Sequence, residues 1–273
     1  MTQPLTACTA LIAATLATAP LPGAAQDGFV DPVTADVLQG WDLPDGRRLA
    51  ALRLVLAPGW KTYWRAPGDA GIPPAFDWSR ARNLGAVAIT WPTPSVFDQN
   101  GMRSIGYDGQ LIIPLHLTPS RDGAPVRLRG RMALGVCADI CIPHEITFDT
   151  LLDTPDNSPT PAIVAALSDV PYSAAEADVR GATCRLSPTD MGMQIEAHVT
   201  LPSTGAREVA VIETGTPGLW ISESRTERRG NTLIAISDMI HPDGGAFGID
   251  RSDVRITILG GDYAVDVKGC SAG

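Results

Sequence analysis

Apolar residues in this chain recur at every second position, in short runs. Leu52, Leu54 and Leu56 form one run, and Met193, Ile195, Ala197, Val199 and Leu201 another; Val254, Ile256 and Ile258 are followed by Tyr263, Val265 and Val267. A period of two buries one face of an extended strand, whereas an amphipathic helix needs 3.6. The runs end in clusters such as Pro242-Asp243-Gly244-Gly245 and Gly260-Gly261-Asp262, the punctuation of antiparallel sheets. No βαβ alternation accompanies them, so the expected class is all-β.

A length of 273 residues favours two modest domains over one. The composition changes between Leu152 and Ala177. Asp153-Thr154-Pro155-Asp156-Asn157-Ser158-Pro159-Thr160-Pro161 reads as a loop, and Ala162 to Leu167 as a short helix capped by Thr160. The expected organisation is a first domain over 26–152, a linker with a short helix over 153–177, and a second domain over 178–273. Each domain has the size of one immunoglobulin-like β-sandwich, two in tandem.

The net charge of −9 argues against a nucleic-acid partner, because counterion release needs clustered Lys and Arg. No window holds the eighteen or more uninterrupted apolar residues of a membrane span. Ala7 to Ala25 is uncharged, rich in Ala, Leu and Thr, and ends in Pro22-Gly23-Ala24-Ala25, the pattern of a cleaved secretory signal over 1–25. Met1 to Thr6 lacks the usual basic residue, as a start assigned too late would explain. Export to an oxidising compartment, with no direct membrane insertion after cleavage, is the working premise.

Cleavage there leaves Cys137, Cys141, Cys184 and Cys270, an even number suited to two disulfides. Three pairings are possible. The short gap from Cys137 to Cys141, and the placing of Cys184 and Cys270 near the two ends of the carboxy-terminal half, favour one near and one far pair. In an extended strand, positions i and i+4 lie about 13 Å apart, whereas a disulfide needs Cα atoms about 4.4–6.8 Å apart. Ala138-Asp139-Ile140 must therefore turn. So small a ring constrains the unfolded chain little, which directs attention to reactivity. A plain hairpin staple and a metal pair are the competing readings. With His144 as the nearby imidazole, a tetrahedral metal site lacks its fourth ligand, although copper(I) accepts two thiolates.

Three stretches resemble the periplasmic amino-terminal domain of the thiol:disulfide interchange protein DsbD, and especially the related ScsB-like proteins. They are Gly59-Trp60-Lys61-Thr62-Tyr63-Trp64-Arg65-Ala66-Pro67-Gly68-Asp69-Ala70-Gly71-Ile72-Pro73-Pro74 with Phe76-Asp77-Trp78; Trp91-Pro92-Thr93-Pro94 with Phe97, Gly101, Gly106-Tyr107 and Ile113-Pro114; and Cys137-Ala138-Asp139-Ile140-Cys141-Ile142-Pro143-His144-Glu145. They span residues 35 to 150; the carboxy-terminal half matches more loosely, as a second immunoglobulin-like region.

The resemblance implies a thiol–disulfide oxidoreductase without a cofactor, in which Cys137 and Cys141 cycle between dithiol and disulfide. Electrons would come from a membrane electron carrier of the DsbD or CcdA type and pass to periplasmic thioredoxin-fold partners, with cytochrome c biogenesis and copper tolerance as cellular settings. Phe97, within Val96 to Gly101, occupies the place of the family's capping aromatic; Tyr107 matches a family tyrosine and is given no catalytic part. Three residues separate the cysteines where DsbD has five, and the transmembrane and thioredoxin domains of DsbD have no counterpart here, so separate proteins would supply the electrons. Asp139 would disfavour a neighbouring thiolate by like charge, and a protonated His144 would favour it.

Trp60, Tyr63, Trp64, Trp78 and Trp91 read as core or edge packing. Lys61 and Arg65 are candidates for surface pairs with Asp69 or Asp77. Cys184 and Cys270 read as a structural bridge between the first and last strands of the second domain. Two other readings stand beside the redox one: a non-catalytic protein-binding module with two structural disulfides, and a copper(I)-handling protein using the same thiols.

Overall fold

The computed structural model of the chain describes residues 31–69, 71–99, 102–153, 158–245 and 247–273. The expected signal segment 1–25 lies outside the described residues. The period-two runs form strands that turn their apolar side chains inward. Leu52, Leu54, Ile195, Ala197, Ile256, Ile258 and Val265 are all fully buried.

The first ten strands are β1 (Val33–Asp42), β2 (Arg48–Leu56), β3 (Lys61–Tyr63), β4 (Ala75–Asp77), β5 (Leu84–Ile89), β6 (Ser95–Gln99), β7 (Met102–Asp108), β8 (Gln110–Pro119), β9 (Val126–Cys137) and β10 (Cys141–Leu152). They build one sheet in the order β1-β2-β8-β5 and a second in the order β10-β9-β3-β7-β6, with β4 paired to β9. Side chains from both sheets, among them Leu52, Leu54, Trp64, Ile113, Leu115, Leu128 and Leu134, meet in one apolar core. Apolar burial of this kind stabilises by about 25 cal/mol per Å² removed from water.

After α1 (Pro161–Ser168) come β11 (Tyr172–Ser173), β12 (Gly181–Thr189), β13 (Gly192–Thr200), β14 (Val209–Glu213), β15 (Trp220–Ile221), β16 (Arg225–Arg229), β17 (Thr232–Ile240), β18 (Arg255–Leu259), β19 (Ala264–Lys268) and β20 (Ser271–Ala272). Their sheets run β11-β19-β18-β14 and β15-β17-β13-β12-β20, with β16 on β17. The chain is all-β, two immunoglobulin-like sandwiches in series.

Two features tie the sandwiches together. Val209, Leu259 and Ala264 of the second sheet pair belong to the apolar core of the first. Helix α1 is more than a connector: Ile163 is fully buried with Leu49 and Ala51 on the outer face of β2. Thr160 stands at the N-cap position, but its hydroxyl makes no cap; it donates to the Gln39 carbonyl at 2.7 Å. The helix start is relieved in two other ways: Pro161 has no N–H to satisfy, and the Ile163 N–H donates to the Thr160 carbonyl at 3.0 Å.

Candidate functional site

Strand β9 ends at Cys137 and β10 begins at Cys141, and the two residues are direct cross-strand partners. Between them Ala138-Asp139-Ile140 makes the turn, closed by the Ala138 N–H donating to the Ile140 carbonyl at 3.1 Å. The turn brings the two Cα atoms to 4.1 Å, and the sulfurs are bonded. The pair is not symmetric toward solvent. Cys137 is fully buried, whereas Cys141 is exposed and Ile140 beside it is 68% exposed.

Strand β3 lies on the other side of β9, with Lys61 opposite Cys137 and Thr62 opposite Val136. That register sets Tyr63 beside Gly135, on the face that carries the cysteines. The Tyr63 hydroxyl reaches 2.7 Å from Cys137 Sγ and 3.1 Å from Cys141 Sγ. A bridged sulfur has no hydrogen, so the phenol donates. Burial raises the Tyr63 pKa above its ordinary value of 10.0, which keeps the donor protonated.

Glycines make room for this ring. A Cβ on Gly135 would lie 2.8 Å from Tyr63 Cε2 and 2.9 Å from Ile72 Cβ. One on Gly71 would lie 3.0 Å from Tyr63 Cδ1 and 2.2 Å from Pro67 Cβ. Tyr63 is thus enclosed between β9 and the loop that follows β3, and only 3% of it is exposed. The assignment of Tyr63 to ordinary packing misses this: the residue is buried, and its polar end is on the disulfide. Its place in the Trp60–Trp64 stretch, two residues from Lys61 on the same strand face, was the available signal.

A groove of about 1000 Å³ opens beside the hairpin turn, lined by Trp60, Lys61, Phe97, Asp98, Ala138 and Asp139. Phe97 enters it from β6, and Lys61 Nζ stands 5.1 Å from the Phe97 ring centroid, a cation–π contact. Burial lowers the Lys61 pKa from 10.5. Phe97 and Asp139 therefore share one groove at the disulfide's edge. His144 stands elsewhere: three residues beyond Cys141, it projects from the opposite face of β10, with Nε2 3.7 Å from Asp31 Oδ1. Cys137, Cys141 and His144 accordingly do not converge on one point.

The expected surface pairings differ. Arg65 pairs with Glu213 and Asp77 with Arg131. Phe76 and Trp78 stack with centroids 5.3 Å apart, and Trp64 is fully buried. Tyr107 donates to the Pro92 carbonyl at 2.8 Å, a packing role. Cys184 on β12 and Cys270, just before β20, are bonded with Cα atoms 5.7 Å apart.

An immunoglobulin-like sandwich with a disulfide across the end of a hairpin, one of its two cysteines exposed, defines a class of thiol-bearing β domain. Residues 27–153 match the family model described as "Thiol:disulfide interchange protein DsbD, N-terminal", the family that the three sequence stretches resemble. Among solved structures, the chain is similar to the N-terminal periplasmic domain of ScsB from Proteus mirabilis. The TM-score is 0.62 at 24% identity, over 88% of this chain and 92% of that one. No curated protein matches the chain. Among the described residues, no helix is long and apolar enough to cross a membrane.

Proposed function

We propose that the chain is an exported thiol–disulfide exchange protein that carries two electrons at a time through Cys137 and Cys141. The observation that carries this reading is the asymmetry of the pair: Cys141 is an exposed residue and Cys137 a fully buried one, with the Tyr63 hydroxyl nearer the Cys137 sulfur. In the reductive half-cycle a donor thiolate attacks Cys141 Sγ. The Cys137–Cys141 bond breaks, Cys137 Sγ leaves as a thiolate, and the Tyr63 hydroxyl receives it. A second donor thiolate then attacks the donor's own sulfur in the mixed disulfide and releases Cys141, so the donor ends as a disulfide and the chain as a dithiol. In the oxidative half-cycle Cys141 thiolate attacks a partner's disulfide and Cys137 resolves the mixed bond, so both electrons pass to the partner, which ends as a dithiol, and the chain returns to its disulfide.

On this reading a membrane electron carrier of the DsbD or CcdA type reduces the chain, thioredoxin-fold proteins of the periplasm oxidise it, and Phe97 shields the groove between encounters. Asp139, at the turn, sets a negative charge near the approach to Cys141. Residues 26–152 form the redox domain and 178–273 a second domain joined by 153–177.

The test uses serine variants of the full mature chain. Cys137→Ser, with Cys141 free, is expected to trap a mixed disulfide with an oxidised thioredoxin-fold protein, and Cys141→Ser to trap none. Equal trapping by both variants, or by neither, would overturn the assignment.

A further inference from the structure

The loop after β3, which encloses Tyr63, is held from outside its own sandwich. Arg65 Nε and Nη2 donate to Glu213 Oε1 and Oε2 at 3.0 and 2.8 Å, and Nη2 lies 3.4 Å from Thr257 Oγ1. Glu213 ends β14 and Thr257 lies on β18, both in the second sheet pair. The Arg65 guanidinium also rests on the Trp64 ring, 3.9 Å from the centroid. Four residues on, Asp69 Oδ1 accepts the Glu223 backbone N–H at 3.0 Å. Gly68 between them, at φ +83°, packs closely there: a Cβ would lie 3.3 Å from the Arg103 carbonyl oxygen and 3.4 Å from Glu223 Oε1.

The first sandwich contributes its own ties to this segment. Trp64 N–H donates to the Ile105 carbonyl at 2.9 Å, and Ile105 N–H to the Pro67 carbonyl at 3.0 Å. Beyond Asp69, however, come Gly71 and Ile72, the two residues that bear on Tyr63 and Gly135. Among the described residues, the contact of Asp69 with Glu223 is the last anchor to the second sheet pair before the enclosing residues. A bidentate Arg–carboxylate pair fixes orientation as well as distance, and this one is largely shielded, with the side chains 16% and 25% exposed.

We propose that the second sheet pair positions the redox site: Glu213 and the Glu223 backbone hold residues 65–69, and with them Gly71 and Ile72, in the arrangement that keeps the Tyr63 hydroxyl on the Cys137–Cys141 sulfurs. Arg65 and Asp69 are positioning residues in this arrangement and touch no reacting atom. The second sandwich then contributes to the first one's chemistry without supplying a thiol. The proposal rests on the exchange reading for its significance, but its readout needs no protein partner.

The experiment is a double-mutant cycle in the full mature chain. Glu213→Ala, Asp69→Ala and Tyr63→Phe are made singly and in combination, and each protein is equilibrated with glutathione buffers. Differential alkylation, read peptide by peptide, gives the dithiol-to-disulfide ratio of the near pair while the far bridge serves as an internal reference. Each clamp variant is expected to shift that ratio roughly threefold toward disulfide, in the direction of Tyr63→Phe, and by less than about 1.5-fold once Tyr63 is already Phe. Ratios unchanged in both clamp variants, or shifts that persist undiminished beside Tyr63→Phe, would overturn the proposal. Asp69 is exposed, so Asp69→Ala carries the test if Glu213→Ala folds poorly. If the exchange reading alone is wrong, the serine variants trap no partner while the coupling to Tyr63 survives.

Discussion

The hydroxyl of Tyr63 stands 2.7 Å from Cys137 Sγ, the buried sulfur of the near pair. A disulfide sulfur is a weak acceptor, but the thiolate released on reduction accepts a charge-assisted bond of about 1.5–3 kcal/mol. The contact therefore favours the dithiol form. Tyr63→Phe keeps the enclosed ring and removes the donor. Its expected effect, at a pH where Cys137 is ionised, is a reduction potential lower by about 30–60 mV, since 30 mV corresponds to about 1.4 kcal/mol for two electrons. Equilibration with glutathione measures it, and an unmoved potential would reduce the contact to packing.

Gly135 is the counterpart of that contact on β9. A methyl group there would sit 2.9 Å from Ile72 Cβ and 2.8 Å from the Tyr63 ring, too close for either to accept without moving. Gly135→Ala is expected to destabilise the protein by about 1–3 kcal/mol, as overpacking does. Gly181→Ala is the matched control, because nothing lies within 4 Å of its added Cβ. Urea unfolding of the two variants checks this. A Gly135→Ala protein as stable as the control would mean that the loop yields freely.

Much of the fold could be read from residue order alone because strand burial is local in its pattern. Leu52, Leu54 and Leu56 announce a buried face without reference to the rest of the chain, and five residues from Cys137 to Cys141 can form a bridge only by turning. The setting of the site was less legible. Tyr63 meets Cys137 across 74 positions and Arg65 meets Glu213 across 148, and such pairings depend on strand register and on the docking of two sandwiches. His144 is a different case. An odd offset of three from Cys141 along an extended strand already sends its side chain to the opposite face, so strand parity alone could have separated it from the sulfurs. Thr160 illustrates the opposite limit: the residue type suits a cap, but a carbonyl on β1 competes for the hydroxyl.

The far bridge joins Cys184 to Cys270, 86 positions apart, and so ties the end of the chain to β12. Closing a long loop restricts the unfolded chain strongly. Cys270→Ser is expected to cost about 2–5 kcal/mol, read as a lower urea midpoint. A midpoint unchanged from the parent protein would show that the β12–β20 pairing holds without the bond.

Strand β14 is secured at both ends by carboxylates, Glu213 on Arg65 and Glu208 on Arg228. Glu208 is nearly buried, with a side chain 7% exposed. Burial pushes its carboxyl up, but the Arg228 guanidinium and the Thr204 N–H and hydroxyl, at 2.8 and 2.9 Å, outweigh it and hold the pKa below 4.5. A folded-state pKa below the unfolded value contributes stability that is fully present above 4.5 and lost as the pH falls through the folded value. Glu208→Gln removes that contribution at neutral pH and has little left to lose in acid. The urea midpoint of the variant is therefore expected to lie below that of the parent protein at pH 7, and the gap to narrow steadily below pH 4.5. A gap that stays constant or widens on acidification would show that the Glu208 charge contributes nothing to holding β14 in place.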